Sequence, residues 1–243
     1  FARMKATSGD VDVLNVALGL EHEAIAAYQI GAESGLLKPP ALKLAVHDAT
    51  LPLVQALNHL ADAFAERAQA FADVLKIGRT CMQSAQPMTL GQEFGGYASA
   101  VRRQATKIAA ASADLLILPL GGSAIGTGLG ADPGYPAAVY RHLGADLSLP
   151  LRRADDPFDA MQNSDTFARV SSEIRIAAET IAKIAHDLIL LSSDPQAGIG
   201  EIRLPAMQPG SSIMPGKINP VMPMMMQQLA FALAGNDLAV ALA

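Results

Sequence analysis

Apolar residues recur at alternating steps of three and four between Phe167 and Leu191, which is the strongest regularity in the sequence. The pattern repeats every seven residues and is typical of a helix that packs along a seam against other helices. At about 1.5 Å per residue such a helix is roughly 36 Å long, more than a small domain needs. The seam therefore predicts an all-α, long-helix bundle whose helices pack between subunits. Its members are Phe167, Val170, Ile174, Ala177, Ile181, Ile184, Leu188 and Leu191.

Shorter apolar repeats predict further helices, and no alternating strand pattern competes with them. Helices are expected over residues 10–34, 53–75 and 92–118. The helical period disappears over residues 76–91, which predicts an irregular segment. Residues 119–136 are rich in Gly and Pro and are expected to form a loop.

Composition narrows the class of protein. Hydrophobic residues make up 51% and charged residues 17%, which favours a packed core over disorder. No apolar run reaches the length of a membrane span, and a net charge of -5 with scattered basic residues argues against nucleic acid. The single cysteine, Cys81, excludes an internal disulfide and suits a reducing compartment. Without a signal-peptide pattern, the sequence predicts a cytoplasmic protein with no membrane or nucleic-acid partner.

Residues 208–220 form the most informative stretch for chemistry. They combine glycines, prolines, adjacent serines, a lysine and an asparagine between two helical patterns. Such shaped polar loops on rigid scaffolds often carry function. From these residues alone the segment is either an anion-binding loop, with Lys217 and backbone N–H groups as donors, or a linker with incidental serines.

The stretch Gly210-Ser-Ser-Ile-Met-Pro-Gly-Lys-Ile-Asn-Pro220 resembles the signature loop of the fumarase and aspartase superfamily. Residues 76–94, from Lys76-Ile-Gly-Arg-Thr to Gly-Gln-Glu-Phe94, resemble the second conserved region of that family. Residues 119–128 and 162–165 also follow in family order. The resemblance covers residues 41–243 and implies an all-helical lyase.

The resemblance implies a general base and a group that stabilises it. In the family the first serine of the loop, here Ser211, takes a proton from the carbon next to a carboxylate. The resulting aci-carboxylate dianion then expels ammonia or water. Because a serine hydroxyl is a weak base unless its alkoxide is stabilised, Lys217 and backbone N–H groups of the loop are expected to supply that stabilisation.

The resemblance also implies a substrate-binding set. Lys217 and Asn219 would hold the substrate carboxylates, with Ser212 beside them. Thr80 and Cys81 of the second region would contact the same substrate from a neighbouring subunit, since the tetrameric family builds each active site from three chains. A homotetramer with shared active sites, a small dicarboxylate substrate and no cofactor or metal ion is therefore expected.

Three positions depart from the family pattern. Cys81 stands where the family often has His, although aspartases vary there, and Ser84 stands where Asp is usual. Met224 stands where a Glu commonly pairs with that His in a charge relay. Because both partners are replaced together, no orphaned charge remains, and the resemblance does not extend to proton transfer through that pair.

The resemblance stops before residue 41. The Ser-Ser/Thr-Asn-Asp motif, which grips the substrate in the family, should lie just before Ala41, where this chain reads Leu36-Leu-Lys-Pro-Pro40. The sequence also begins at Phe1 without a Met and ends at Ala243 inside a helical pattern. We therefore expect residues 41–243 to form a central helical lyase domain that is truncated at both ends, with an incomplete active site.

Residues 9–35 resemble the first helix of a bacterial ferritin-like domain, so residues 1–40 are expected to form a separate helical segment. Glu21 would be a metal ligand there, but the chain has no Glu-x-x-His pair of the kind that a di-iron bundle needs. Glu21, His22 and Glu23 are therefore interpreted as a solvated or structural face. The join is either a natural fusion or a sequence assembled from separate pieces.

The preferred prediction is a lyase that eliminates ammonia from L-aspartate, or a similar amino-dicarboxylate, to give fumarate. Cys81 favours this reaction because it replaces the His that fumarases typically keep. A fumarate hydratase is the alternative within the same chemistry. A ferritin-like metal-binding protein and a catalytically inactive helical scaffold are hypotheses of other classes. The histidines lie outside the lyase motifs and are interpreted as structural: His22, His47, His59, His142 and His186.

Overall fold

The computed structural model describes residues 50–208, 210 and 213–242. Most of these residues are helical, which confirms the all-α class. The helix predicted over 10–34 and the ferritin-like resemblance of residues 9–35 lie outside the described residues. Ser211 and Ser212 lie outside them as well.

Long helices provide the framework. Helix α5 spans the predicted seam, and Val170, Ala177 and Ile184 are buried along it. The helix predicted over 53–75 ends earlier, at Ala70, because the chain turns there towards a strand. Among the described residues no helix is both long and apolar enough to cross a membrane. In chain order the helices are α1 (Leu51–Ala70), α2 (Leu90–Asp114), α3 (Tyr135–Leu147), α4 (Pro157–Gln162), α5 (Asp165–Leu191) and α6 (Val221–Leu242).

The segment expected to be irregular is a β-hairpin. Strands β1 (Leu75–Thr80) and β2 (Gln83–Thr89) pair antiparallel, with Thr80 opposite Gln83. Cys81 and Met82 form the two-residue turn with φ of 50° and 61°. A turn with two positive φ angles usually contains Asn-Gly or Asp-Gly, and this turn contains neither. Most side chains of the two strands are exposed. Neither the turn residues nor an alternating apolar pattern therefore revealed the strands.

The loop predicted over 119–136 is confirmed and ends where α3 begins, at Tyr135. Two short strands pair in parallel: β3 (Ile117–Leu118), which precedes the loop, and β4 (Arg152–Arg153), which follows α3. Helices α3 and α4 were not predicted, because both are short and α3 follows a Gly- and Pro-rich stretch. Helix α4 is capped by the Asp156 carboxylate, which accepts from the Phe158 N–H at 2.8 Å.

The described residues fall into two compact units. The first comprises 55–105 and 175–235, and its core contains Phe94, whose ring packs edge-on against Phe64 and Phe71 with centroids 6.0 and 5.4 Å away. The second comprises 50–54, 106–174 and 236–242. Its apolar cluster is formed by Leu118, Leu147 and Leu149, with Tyr140 packed against it. The predicted domain division, 1–40 and 41–243, stays a prediction.

Candidate active site

The signature loop leads directly into α6. Lys217 is exposed, and its backbone N–H donates to the Met214 carbonyl at 3.2 Å across a turn in which Gly216 has a φ of 84°. Asn219 is half-buried, and its carbonyl accepts from the Val221 N–H at 2.9 Å. At the start of α6 the Val221 N–H is already bonded and Pro223 has no N–H, so negative charge is favoured there by the helix dipole and not by a set of free N–H groups. A cation and an amide therefore stand together where an anion is electrostatically favoured.

Gly210 fixes the base of this loop. A methyl group at its Cα would overlap the backbone carbonyl of Lys217, so the two backbones approach more closely than any other residue permits. The seven-residue separation between Gly210 and Lys217 is thus closed into a short loop. Ser211 and Ser212 follow Gly210 in sequence and lie outside the described residues, so their predicted roles stay predictions.

The hairpin turn holds the other predicted substrate-binding residues. Thr80 is the last residue of β1, and Cys81 is the first residue of the turn. Both are exposed, and Cys81 and Met82 have left-handed backbone conformations that cost non-glycine residues of order 1–3 kcal/mol each. Within the described part of the chain, no hydrogen bond joins Thr80 or Cys81 to Lys217 or Asn219.

Ion pairs connect the hairpin to two other segments. Lys76 Nζ on β1 lies 2.5 Å from Glu93 Oε2 at the start of α2 and 2.9 Å from Glu201 Oε2. Arg79 Nη2 donates to Glu201 Oε1 at 2.5 Å. Glu201 belongs to the segment between α5 and the signature loop. We call these four residues, Lys76, Arg79, Glu93 and Glu201, the clamp.

The clamp stabilises the charged form of Glu201. Burial alone would raise the pKa of this carboxyl, but the hydrogen bond from Arg79 and the ion pair with Lys76 outweigh it and hold the pKa below its ordinary value. The hydrogen bond between Arg79 and Glu201 also raises the pKa of the Arg79 guanidinium. Sequence reasoning missed Glu201 because it lies in none of the recognised motifs; Lys76 and Arg79 lie in the second region, but no role was assigned to them.

Next to the clamp, a buried tyrosine links α2 to α5. The Tyr97 hydroxyl donates to Asp187 Oδ2 at 3.0 Å, and Lys183 pairs with the same carboxylate. Burial raises the pKa of Tyr97, and the charges of Glu93 and Asp187 raise it further. Tyr97 is therefore a neutral hydrogen-bond donor at physiological pH.

Comparison with known proteins identifies the family. A family model described as "Lyase" matches residues 37–235, most of the chain. The matched region includes the hairpin, the clamp and the signature loop. Aspartate ammonia-lyase of Bacillus sp is 45% identical over 202 residues. The chain belongs to the fumarase and aspartase superfamily.

Other superfamily members show the same relationship. The chain is 45% identical over 205 residues to aspartate ammonia-lyase of Helicobacter pylori (strain ATCC 700392 / 26695) and 42% identical over 200 residues to fumarate hydratase class II of Thermosynechococcus vestitus (strain NIES-2133 / IAM M-273 / BP-1). These matches cover 84% and 82% of this chain, respectively. The match with the Bacillus sp protein covers 83% of this chain and 43% of that protein, so the chain spans less than half the length of the relatives it matches.

Solved superfamily structures have the same fold. The fumarate lyase:delta crystallin of Brucella melitensis, whose crystal is described as bound to cobalt, matches with a TM-score of 0.78 and 41% identity. The recombinant class II fumarase of Schistosoma mansoni matches with a TM-score of 0.79 and 31% identity. Each match covers 84% of this chain, and 45% and 46% of the solved chains, respectively. The helical bundle described above is therefore the superfamily fold.

The positions that depart from the superfamily pattern are solvent-accessible in this structure. Cys81 is exposed at the turn, and Ser84 is exposed on β2 opposite Arg79. Met224 is exposed in the first turns of α6. The family commonly has a His at position 81 and a Glu at position 224. Because Cys81 and Met224 replace both of them, neither position leaves a buried charge without a partner.

In the described part of the chain, no group of three or more His, Cys, Asp or Glu side chains is arranged to hold a metal ion. His59 and His142 are exposed, and Gln227 Nε2 lies 3.1 Å from His186 Nδ1. His22 and His47 lie outside the described residues.

Proposed function

We propose that the protein is a lyase that eliminates ammonia from L-aspartate to give fumarate. The strongest support is the 45% identity to an aspartate ammonia-lyase, within a family match that includes the signature loop. The closed base of that loop, at Gly210 and Lys217, supports the same function because it presents Lys217 and Asn219 beside the start of α6.

In the proposed reaction Ser211 acts as the general base. As an alkoxide, Ser211 accepts the proton from C3 of aspartate, and the C–H electron pair moves into the neighbouring carboxylate to give an aci-carboxylate dianion. The pair then returns to form the C2–C3 double bond while the C2–N bond breaks on the opposite face. Ammonia leaves, and fumarate remains. Lys217 and the loop N–H groups stabilise both the alkoxide and the dianion.

Substrate binding in this proposal combines two regions. Lys217, Ser212 and Asn219 bind the carboxylates at the signature loop, where the cation and the helix start favour anions. Thr80 and Cys81 contact the substrate from the hairpin of a neighbouring chain. The exposure of both residues supports this role, because a buried turn would not reach another subunit.

The same proposal requires an oligomer, and α6 supports one. Met224, Phe231, Leu238 and Leu242 are exposed at spacings of seven, seven and four, with Phe231 75% and Leu238 61% exposed. We call this row the α6 stripe. An apolar row at heptad spacing is the surface on which another helix packs. We propose a homotetramer in the cytoplasm, the compartment that an exposed single cysteine suits.

Absorbance near 240 nm, which follows the formation of fumarate, tests the function. Formation of fumarate from L-aspartate by the parent protein would establish the ammonia-lyase and imply that the substrate-gripping motif absent at residues 36–40 is supplied in the functional molecule. Ser211→Ala is then expected to lose at least a thousandfold in kcat. Ser99→Ala is the matched control, because Ser99 is an exposed serine on α2 that bonds only its own helix. Absence of turnover in a folded parent tetramer would overturn the proposal.

Two alternatives are distinguished by the same experiment. Turnover of L-malate alone would make the protein a fumarate hydratase, which the 42% identity to a class II fumarate hydratase favours. An inactive scaffold, which Met224 and Cys81 favour, would turn over neither substrate. The ferritin-like interpretation of residues 9–35 predicts bound iron, and elemental analysis of the purified protein decides it.

A further inference from the structure

The hairpin has little to hold it in place by itself. A two-stranded hairpin is at most marginally stable in water, and most side chains of β1 and β2 are exposed, including Leu75 at 76%. Its base is joined to α2 through the Leu90 N–H, which donates to the Val74 carbonyl at 2.8 Å. The base fixes where the hairpin begins, but the direction of the strands needs a second attachment.

Glu201 provides that attachment by binding two cations of one strand. Its Oε1 accepts from Arg79, and its Oε2 lies 2.9 Å from Lys76 Nζ. The Lys76 side chain is only 7% exposed, so its charge is largely removed from water and depends on its carboxylate partners. The Arg79–Glu201 contact is a charge-assisted hydrogen bond, a kind about twice as strong as a neutral one, whereas Lys76 and Glu201 Oε2 form an ion pair without hydrogen-bond geometry.

A β-bulge in β2 lies opposite the stretch of β1 between the two cations. Residues three apart on a regular strand point to opposite faces, yet Lys76 and Arg79 both contact Glu201, which is consistent with a strongly twisted strand. The register shifts between Ile77 and Arg79, where β2 contains one extra residue opposite Gly78. A bulge increases the local twist and redirects side chains. A Cβ at Gly78 would lie 3.1 Å from the Gln86 carbonyl, so the position has little room for any other residue.

The segment that carries Glu201 is itself bonded to the end of α5. Ile202, next to Glu201, is buried, and its N–H donates to the carbonyl of Leu191 at the end of α5 at 3.1 Å. The Ile199 N–H donates to Ser193 Oγ at 2.7 Å. Glu201 therefore projects from a segment that is bonded to the end of a long helix, and it is suited to hold the hairpin in one position.

We propose that Glu201 is a positioning residue for the candidate active site: it fixes the hairpin on its own chain, and so determines where Thr80 and Cys81 are presented to the substrate at the signature loop of the neighbouring chain. The inference rests on the proposed function only in that Thr80 and Cys81 contact substrate. The attachment of the hairpin by Glu201 is independent of turnover.

Hydrogen exchange of the full chain, measured by mass spectrometry, tests the attachment. In Glu201→Gln, exchange of peptides from residues 75–89 is expected to accelerate roughly tenfold or more, because a charged hydrogen-bond partner is lost. Peptides of α5 are expected to exchange at the parental rate. Glu179→Gln is the matched control, since it removes another Glu–Arg ion pair, with Arg175, from the exposed surface of α5.

Two results would overturn the proposal. One is parental exchange of residues 75–89 in Glu201→Gln; the other is an equal increase in all peptides, which would make Glu201 a residue of general stability. If Glu201→Gln does not fold, Glu201→Asp keeps the charge and shortens its reach, and it is judged by the same two results.

Kinetics with L-aspartate then separate positioning from chemistry. Glu201→Gln is expected to raise KM roughly tenfold with kcat changed less than threefold, because binding residues are displaced while Ser211 is untouched. Glu179→Gln is expected to match the parent. If the parent turns over neither aspartate nor malate, the proposed function fails, whereas the exchange experiment still decides the role of Glu201.

Discussion

Gly210 controls the signature loop through the absence of a single methyl group. Its backbone lies so close to the Lys217 carbonyl that no Cβ fits between them, and the loop can close only at a glycine. The resemblance to the superfamily loop identified this stretch from sequence, but the reason for a glycine at position 210 is visible only in three dimensions.

Replacing Gly210 with Ala is expected to open the base of the loop. We expect kcat/KM to fall at least tenfold, because displacement of catalytic groups by about 1 Å is costly. Proteolytic cleavage within residues 208–220, which does not depend on turnover, is expected to accelerate. Gly235→Ala, at an open and exposed helical position, is the control and should stabilise the fold by about 0.5–1 kcal/mol. Parental activity and cleavage in Gly210→Ala would contradict the role of this glycine.

Glu201 gives the stability of the protein a defined dependence on pH. Its folded-state pKa is held below the ordinary value of 4.5 by Arg79 and Lys76, against the effect of burial. A carboxyl with a lowered pKa contributes stability that is present above its unfolded pKa and is lost as the pH falls through its folded pKa. The difference in the free energy of unfolding between parent and Glu201→Gln should therefore be largest near neutral pH and shrink below about pH 4.5. Denaturant unfolding at a series of pH values measures it, and a constant difference would contradict the assignment.

A helix or strand could be predicted from the sequence where its side chains are buried on one face, and was missed where they are mostly exposed. The seam of α5 was predicted because its buried face repeats in the sequence as apolar residues. The β1–β2 hairpin was missed because its side chains are mostly exposed and its turn contains Cys81 and Met82 instead of an Asn-Gly pair. The clamp was missed for a related reason: Glu201 is far from its partners in sequence, and only the folded chain brings them together.

The strained turn offers a test of the hairpin. Met82 has a φ of 61°, which costs a residue with a Cβ roughly 1–2 kcal/mol. Met82→Gly removes that cost at the expense of greater freedom in the unfolded chain, so a net stabilisation of about 0.5–1 kcal/mol is expected. Met161→Gly, in helix α4, is the control and should destabilise by about 1 kcal/mol. Thermal unfolding distinguishes the two signs, and destabilisation by Met82→Gly would show that the turn is not strained.

At the scale of the whole molecule, the α6 stripe predicts how chains associate. The α6 stripe is a row of exposed apolar residues at heptad spacing. Packing another helix on it would remove this apolar surface from water, which favours association. A charged side chain at Phe231 or Leu238 is therefore expected to prevent assembly. Light scattering after size-exclusion chromatography should show a tetramer for the parent and smaller species for Phe231→Glu. Ala232→Glu, at an exposed position beside the stripe, should remain tetrameric, and a tetrameric Phe231→Glu would exclude α6 from the interface.

The clamp holds β1 at two points: Lys76 lies near the base of the hairpin, and Arg79 lies one residue before Thr80. The two points are three residues apart, about 10 Å at ~3.3 Å per residue. A strand fixed at two points cannot rotate about either of them without breaking a contact with Glu201. One carboxylate, on a residue that touches no substrate, therefore sets both the position and the direction in which the chain enters the turn at Thr80 and Cys81.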